Sequence, residues 1–214
     1  MGIWGAKKSV WTGARATLGA LLLAAVLCPA GHAQAPDNGP PLEGEAYNAA
    51  AAAYGSFSQG DYRGSAEHAA VAVGLRPDVL RLRLLLIDAL VAAGDLAKAD
   101  QATTKAMTDF AGNQELEARQ ANIRQRLAQA PAGEGYKALE RGDAKAAVRS
   151  ARKAVEYAPD QMSYRLLLLS AQIADNNLQD AIATATDANK LDPGNYVPLV
   201  WRGYLNQKLG NRAQ

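Results

Sequence analysis

Cysteine and histidine are scarce in this chain of 214 residues, which holds one cysteine, Cys28, and two histidines, His32 and His68. That shortage excludes most site chemistry. A disulfide needs two cysteines, and a zinc site draws nitrogen and sulfur ligands from several residues of these types. A serine–histidine or cysteine–histidine nucleophilic centre is equally hard to assemble from this supply. Aromatic residues are few, at 6%, and neither sign of charge dominates, with 23 basic residues against 21 acidic ones. Nucleic-acid binding needs a basic patch, so no nucleic acid is expected as partner. Strict alternation of apolar and polar residues is missing, which argues against strands. Phosphate-loop and GxGxxG patterns are missing too; GEGYKALERGD lacks their glycine spacing.

No catalytic residue, no metal ligand and no cofactor is therefore expected, and the chain reads as non-enzymatic. Carboxylates such as Glu134, Glu140, Asp143 and Asp192 fall at helix ends and turns, where capping accounts for them. His68, within GSAEHAAVA, reads as a solvent-facing helical residue.

What is abundant comes first at the amino terminus. Lys7, Lys8 and Arg15 precede the apolar run LGALLLAAVL from Leu18 to Leu27, and GHA follows, ending at Ala33. This order of charge, apolar run and small residues reads as a signal peptide over residues 1–33. Cleavage after Ala35 is less favoured because Pro36 would follow the cut. Ten apolar residues fall short of the roughly 20 that cross a bilayer, so no transmembrane span is expected after removal. Removal would also take Cys28 and leave 20 basic residues against 21 acidic ones, a net charge of −1. The expected location is periplasmic or secreted, with outer-membrane association as a further option.

Residues 34–45, QAPDNGPPLEGE, are rich in proline and glycine and read as a flexible linker. Helical pattern begins near Ala46 and recurs with a fixed step. Gly60 and Gly94 are 34 residues apart, as are Gly142 and Asn176, and Asn176 and Gly210. Glycine and asparagine accept the left-handed backbone that closes one helix before another starts. Ser65, Ala99, Ala147 and Ala181 follow the turns by five residues; Ala72, Ala106, Ala154 and Ala188 follow by twelve. Seven residues apart, these small side chains share one face of a second helix and let two helix axes approach. Pro77, Pro159 and Pro193 end their second helices, and the second repeat departs from this with Ala111 where the proline is usual. Leucine at Ala106 or Ala188 should overfill the contact, whereas the neighbouring Thr104 and Thr186 should tolerate it.

The step from Gly94 to Gly142 is 48 residues, 14 more than the others. The extra residues lie near NQELEARQANIRQRL, where Leu116, Ile123 and Leu127 form an apolar stripe and Glu115 and Arg119 are four apart. An inserted or lengthened helix is expected over 114–127. RLLLIDALVAAGDLAKAD at Arg83 and RLLLLSAQIADNNLQDAI at Arg165 then read as copies of one 82-residue unit.

This pattern resembles the tetratricopeptide repeat (TPR), a helix–turn–helix unit of 34 residues. The resemblance covers residues 46–214 and implies an all-α, right-handed solenoid of antiparallel helix pairs with four full repeats and a terminal half repeat. One pair of repeats occupies 46–113 and a second 128–195. Residues 196–214 form the half repeat, which is a cap, a truncation, or an edge that another subunit covers. The repeat style behind a signal is also similar to the helical region of proteins of the bacteriophage N4 adsorption protein A type and of periplasmic scaffolds of cellulose export.

In tetratricopeptide arrays the first helices line a concave groove that holds a peptide or partner helix. Tyr54, Tyr136 and Tyr204 each stand six residues before a turn glycine, at equivalent places on first helices. Tyrosine offers apolar area with a polar tip at low entropic cost. Packing between neighbouring helices is the competing expectation for them. Arg83 and Arg165 match across the duplication and join the tyrosines as candidates for the partner-binding groove; the competing expectation is that they cover apolar neighbours or pair with Asp88 or Asp78. The expected function is a scaffold for a protein or peptide partner in a cell-envelope assembly; the alternative is a scaffold that handles polysaccharide in an export system.

Overall fold

A computed structural model describes residues 41–210, so the expected signal peptide over 1–33, most of the expected linker over 34–45 and the last four residues lie outside the described residues. Among the described residues there are nine α-helices and no strand: α1 Gly44–Ser58, α2 Tyr62–Leu75, α3 Leu80–Ala92, α4 Leu96–Asp109, α5 Gln114–Glu140, α6 Ala144–Tyr157, α7 Met162–Ala174, α8 Leu178–Leu191 and α9 Tyr196–Lys208. Short turns fold them into successive antiparallel pairs, α1 with α2, α3 with α4, the end of α5 with α6, and α7 with α8.

The turns form as the sequence predicts. Gly60, Gly94, Gly142 and Gly210 have φ of +80°, +81°, +76° and +79°, and Asn176 has +57°. In each of the first four turns in chain order the next residue's N–H bonds a carbonyl five positions back, as Asp61 does to Ser56 at 2.9 Å and Asn177 to Gln172 at 2.9 Å. That closure satisfies carbonyls that a helix end would otherwise leave orphaned. The same residue then caps the following helix. Asp61, Asp95, Asp143 and Asn177 accept the backbone N–H three residues on, at 3.0, 3.3, 3.0 and 3.4 Å. One short stretch thus ends one helix and starts another.

The recurrent small residues sit where the spacing predicts. Ser65, Ala72, Ala99, Ala106, Ala147, Ala154, Ala181 and Ala188 are all at 0% exposure. Ser65 differs from its counterparts by a hydroxyl that is buried and has no hydrogen-bond partner. An unsatisfied buried polar atom costs about 1–3 kcal/mol. Ser65→Ala is therefore expected to raise stability by roughly 1 kcal/mol, read as a higher urea midpoint with an unchanged slope.

Residues 114–127 are not a separate helix. They are the first half of α5, 27 residues long, with Pro131 inside it. The 34-residue frame of the first pair continues into this half, since Leu116 follows Leu82 and Ile123 follows Ala89 by that step. Leu82, Leu116, Ala89 and Ile123 are all buried. Leu116 and Ile123 join Ile87, Ala99 and Ala106 in one core cluster, with Leu127 packed against it. The second half supplies Ala132, which clusters with Ala151 and Ala154 of α6. One continuous helix therefore acts as a first helix twice. Fourteen residues lie within about 40° of four whole turns, so the inward face is kept while the chain advances about 21 Å. Pro131 falls where the two frames meet. Its ring nitrogen carries no hydrogen, so the Leu127 carbonyl lacks the usual helical donor there.

The first helix begins at Gly44, two residues before the expected start. Glu45 in its first turn suits the positive end of the helix dipole.

Candidate partner-binding face

The three tyrosines share one register and one degree of exposure. Tyr54, Tyr136 and Tyr204 are 50%, 47% and 51% exposed, on α1, α5 and α9. They are not packed away between helices. Tyr204 meets Trp201 edge to face, with ring centroids 5.8 Å apart. Tyr47 stands outside the turn-glycine register, yet it is exposed on α1 seven residues before Tyr54 and so shares its face. That seven-residue spacing was the available signal.

On the intervening first helices the same register holds Asp88 in α3 and Ser170 in α7. Asp88 takes a two-pronged bond from Arg119 of α5, both at 2.9 Å. This bond, ahead of the Coulombic effects of Asp88 and Glu115, holds the Arg119 guanidinium above its usual pKa. The local Glu115–Arg119 pair is looser, at 3.6 Å. Arg124 bonds Asp100 of α4 at 2.9 Å, so two arginines tie the first half of α5 to both helices of the preceding pair. A cleft of about 320 Å³ lies along this junction, lined by Asp88, Val91, Ala118, Arg119 and Asn122.

The two matched arginines have a different placement from the tyrosines. Each stands five residues before the tyrosine register, about 140° around the helix. Arg83 is buried and donates to the Pro77 carbonyl at 3.2 and 3.1 Å and to the Asp109 carboxylate. Arg165 donates to the Pro159 carbonyl at 2.7 Å. Neither pairs with Asp78 or Asp88 as expected from proximity in sequence, because those carboxylates are taken by Arg76 and Arg119. The arginines instead brace the turn between one helix pair and the next. A rigid guanidinium fork suits that job, since one side chain holds a carbonyl and a carboxylate together.

Arg83 and Asp109 also border a cleft of about 1150 Å³ between α2 and α4, floored by Leu86 and Leu90 of α3 and edged by Arg63, Glu67, Lys98 and Lys105. It lies between second helices, away from the tyrosine register. Nearby carboxylates are held ionised. The Arg76 hydrogen bond puts the Asp78 carboxyl below its usual range, and the Lys98 side chain does the same for Asp95. His68 is exposed.

Among the described residues no group of three or more histidine, cysteine, aspartate or glutamate side chains is placed to hold a metal ion. No helix there is long and apolar enough to cross a membrane. No family model matches the chain. No curated protein matches it either. Among solved structures it is similar to MamA from Desulfovibrio magneticus RS-1, at 17% identity and a TM-score of 0.35 over 80% of this chain and 89% of that one. It is also similar to the TPR2AB domain of yeast Sti1 in its complex with pHSP90, at 14% identity and a TM-score of 0.37 over 77% of this chain and 84% of that one.

Proposed function

We propose that this chain is an exported, non-enzymatic scaffold that holds a protein or peptide partner on the exposed face of its first helices, within an assembly of the cell envelope. One observation carries the reading: three tyrosines at a single repeat register, on helices far apart in sequence, keep half their surface open. Buried apolar packing accounts for the alanines but not for these. Half-exposed tyrosines spaced along a repeat array suit an elongated polypeptide, which meets them in succession and buries their rings while hydrogen-bonding their hydroxyls. The export part rests on the charge and apolar order of residues 1–33.

The reading is tested by placing a photo-crosslinking amino acid at position 54, 136 or 204 and, as a reference, at the exposed Thr104. Polypeptide adducts are expected at the three tyrosine positions and not at 104, with Tyr54→Ala weakening capture at 136 by about tenfold or more. Envelope polysaccharide retained by the chain, with no tyrosine-dependent polypeptide adduct, would overturn it in favour of a glycan-handling scaffold. Mass spectrometry of the mature chain should find Gln34 as its first residue.

A further inference from the structure

The cleft between α2 and α4 is lined differently from the same place in the second copy of the duplicated unit. Its α2 wall is a row of small residues at four-residue steps, Ala66, Ala70 and Gly74, facing Ala102 of α4 over Leu86 and Leu90 of α3. Residues four apart share one face of a helix, so the row leaves the space above the leucines open. Arg63, Lys98 and Lys105 stand at its edges.

In the second copy, 82 residues on, larger side chains occupy the wall. Val148, Arg152 and Glu156 replace Ala66, Ala70 and Gly74, and Asp180 and Asp187 replace Lys98 and Lys105. Arg152 meets Asp180 at 3.5 Å, so an ion pair reaches from α6 to α8 where the first copy is open. Helices and turns are common to both copies, and these side chains make the difference. The opening is therefore no by-product of stacking repeats.

The lining names the ligand. Asp95 is held by Lys98 at 2.8 Å and Asp109 by Arg83, while Glu67 stands on the exposed edge of α2 one turn from Arg63. Lys105 enters no ion pair among the described residues. It follows Gly94 by eleven residues and Arg83 precedes it by eleven, so in an antiparallel pair the two lie level. That end carries a net positive charge, and from there toward Leu90 the lining is apolar. An extended polypeptide between alanine walls would bury N–H and C=O groups with few partners, because the walling helices pair their own backbone internally. An aliphatic chain has no such groups and is stabilised by every methylene that leaves water. The cleft follows α2 from Arg63 to Gly74, about 16 Å, which suits a chain of medium length laid straight.

We infer that this cleft binds a single aliphatic chain with an anionic end, the chain lying on Leu86 and Leu90 between the alanines and the anion held by Lys105 beside Arg83. A free fatty acid and a one-chain phospholipid share this chemistry. The site stands apart from the tyrosine register, so each reading can fail alone.

Laurate, kept below its micelle concentration, is titrated into the whole chain by isothermal calorimetry. Saturable binding is expected. Dodecanol, which has the tail without the charge, and the Lys105→Gln variant should each weaken it about tenfold, the value of one charge-assisted hydrogen bond. The Ala70→Arg, Lys98→Asp double variant rebuilds the second copy's ion pair across the opening and should abolish saturable binding. All three positions are exposed, so circular dichroism should show an unchanged fold. Lauroyl lysophosphatidylglycerol, if it binds more tightly than laurate with the same dependence on both variants, identifies a phospholipid as the source; if more weakly, the free acid. No saturable heat, equal binding of dodecanol, or binding untouched by the double variant would overturn the inference. So would polypeptide adducts from a photo-crosslinking amino acid at position 70, whether to another protein, to a second copy or to residues 34–40 of this chain.

Discussion

Leu116→Ala is expected to lower stability by about 2–5 kcal/mol, the range for removing a fully buried leucine side chain. Leu116 is at 0% exposure, inside the cluster that holds Ile87, Ala99 and Ala106 together. The loss has two parts: the transfer of three carbons out of an apolar site, and the cavity that rigid neighbours leave behind. What makes the test informative is where the residue lies. If residues 114–127 were only a spacer between two repeat pairs, truncation there would change stability by less than about 0.5 kcal/mol. A full-sized loss means that the first half of α5 closes the first pair as an ordinary repeat helix would. Arrays of this kind depend on nearest neighbours, so the change should concentrate in α3, α4 and α5. Hydrogen exchange on the variant should show faster amide exchange there than in α7 and α8.

Ala106→Leu should cost roughly 1–3 kcal/mol, through overfilling rather than through loss. Ala106 is at 0% exposure on α4, facing Ile87 of α3. Three added carbons have no space there, so side chains must leave their preferred rotamers or the two helices must separate. Ala188→Leu, 82 residues later at an equivalent fully buried place, should behave alike. Thr104→Leu is the control, because Thr104 is exposed two residues from Ala106, on the other side of α4, and gives up only an exposed hydrogen bond from Gln120. Thr186 serves less well than the spacing suggested, because both its side chain and its hydrogen bond are partly buried. It is half-buried, and its hydroxyl donates to the Ile182 carbonyl at 2.8 Å, so leucine there removes a bond as well as adding bulk. Equal melting shifts for Ala106→Leu and Thr104→Leu would mean that the repeat register is misplaced.

Much of this architecture is written in short-range signals. Gly94 followed by Asp95 states a complete instruction within two residues: a left-handed closure, then an acceptor for the N–H of Lys98. Ala99 and Ala106 declare a contact face by their spacing alone, because the helix itself converts seven residues into two turns. The tyrosine register followed from the same arithmetic, and their exposure did not. Whether Tyr136 is covered depends on what stands opposite, and period counting is silent about neighbours.

The residues by themselves determined that this chain folds as helices, where those helices turn, and which faces meet, since each of these depends on backbone preferences and periodicity within about 34 positions. Tertiary structure alone decided the rest. It fused the extra 14 residues to the next first helix, through Pro131 and Gly133, because both halves find apolar partners. It drew Arg83 to Asp109, Arg119 to Asp88 and Arg124 to Asp100, pairs 24 to 31 residues apart in sequence. Such outcomes are settled by which surfaces reach each other once the helices stack, and that geometry has no signature in any single segment.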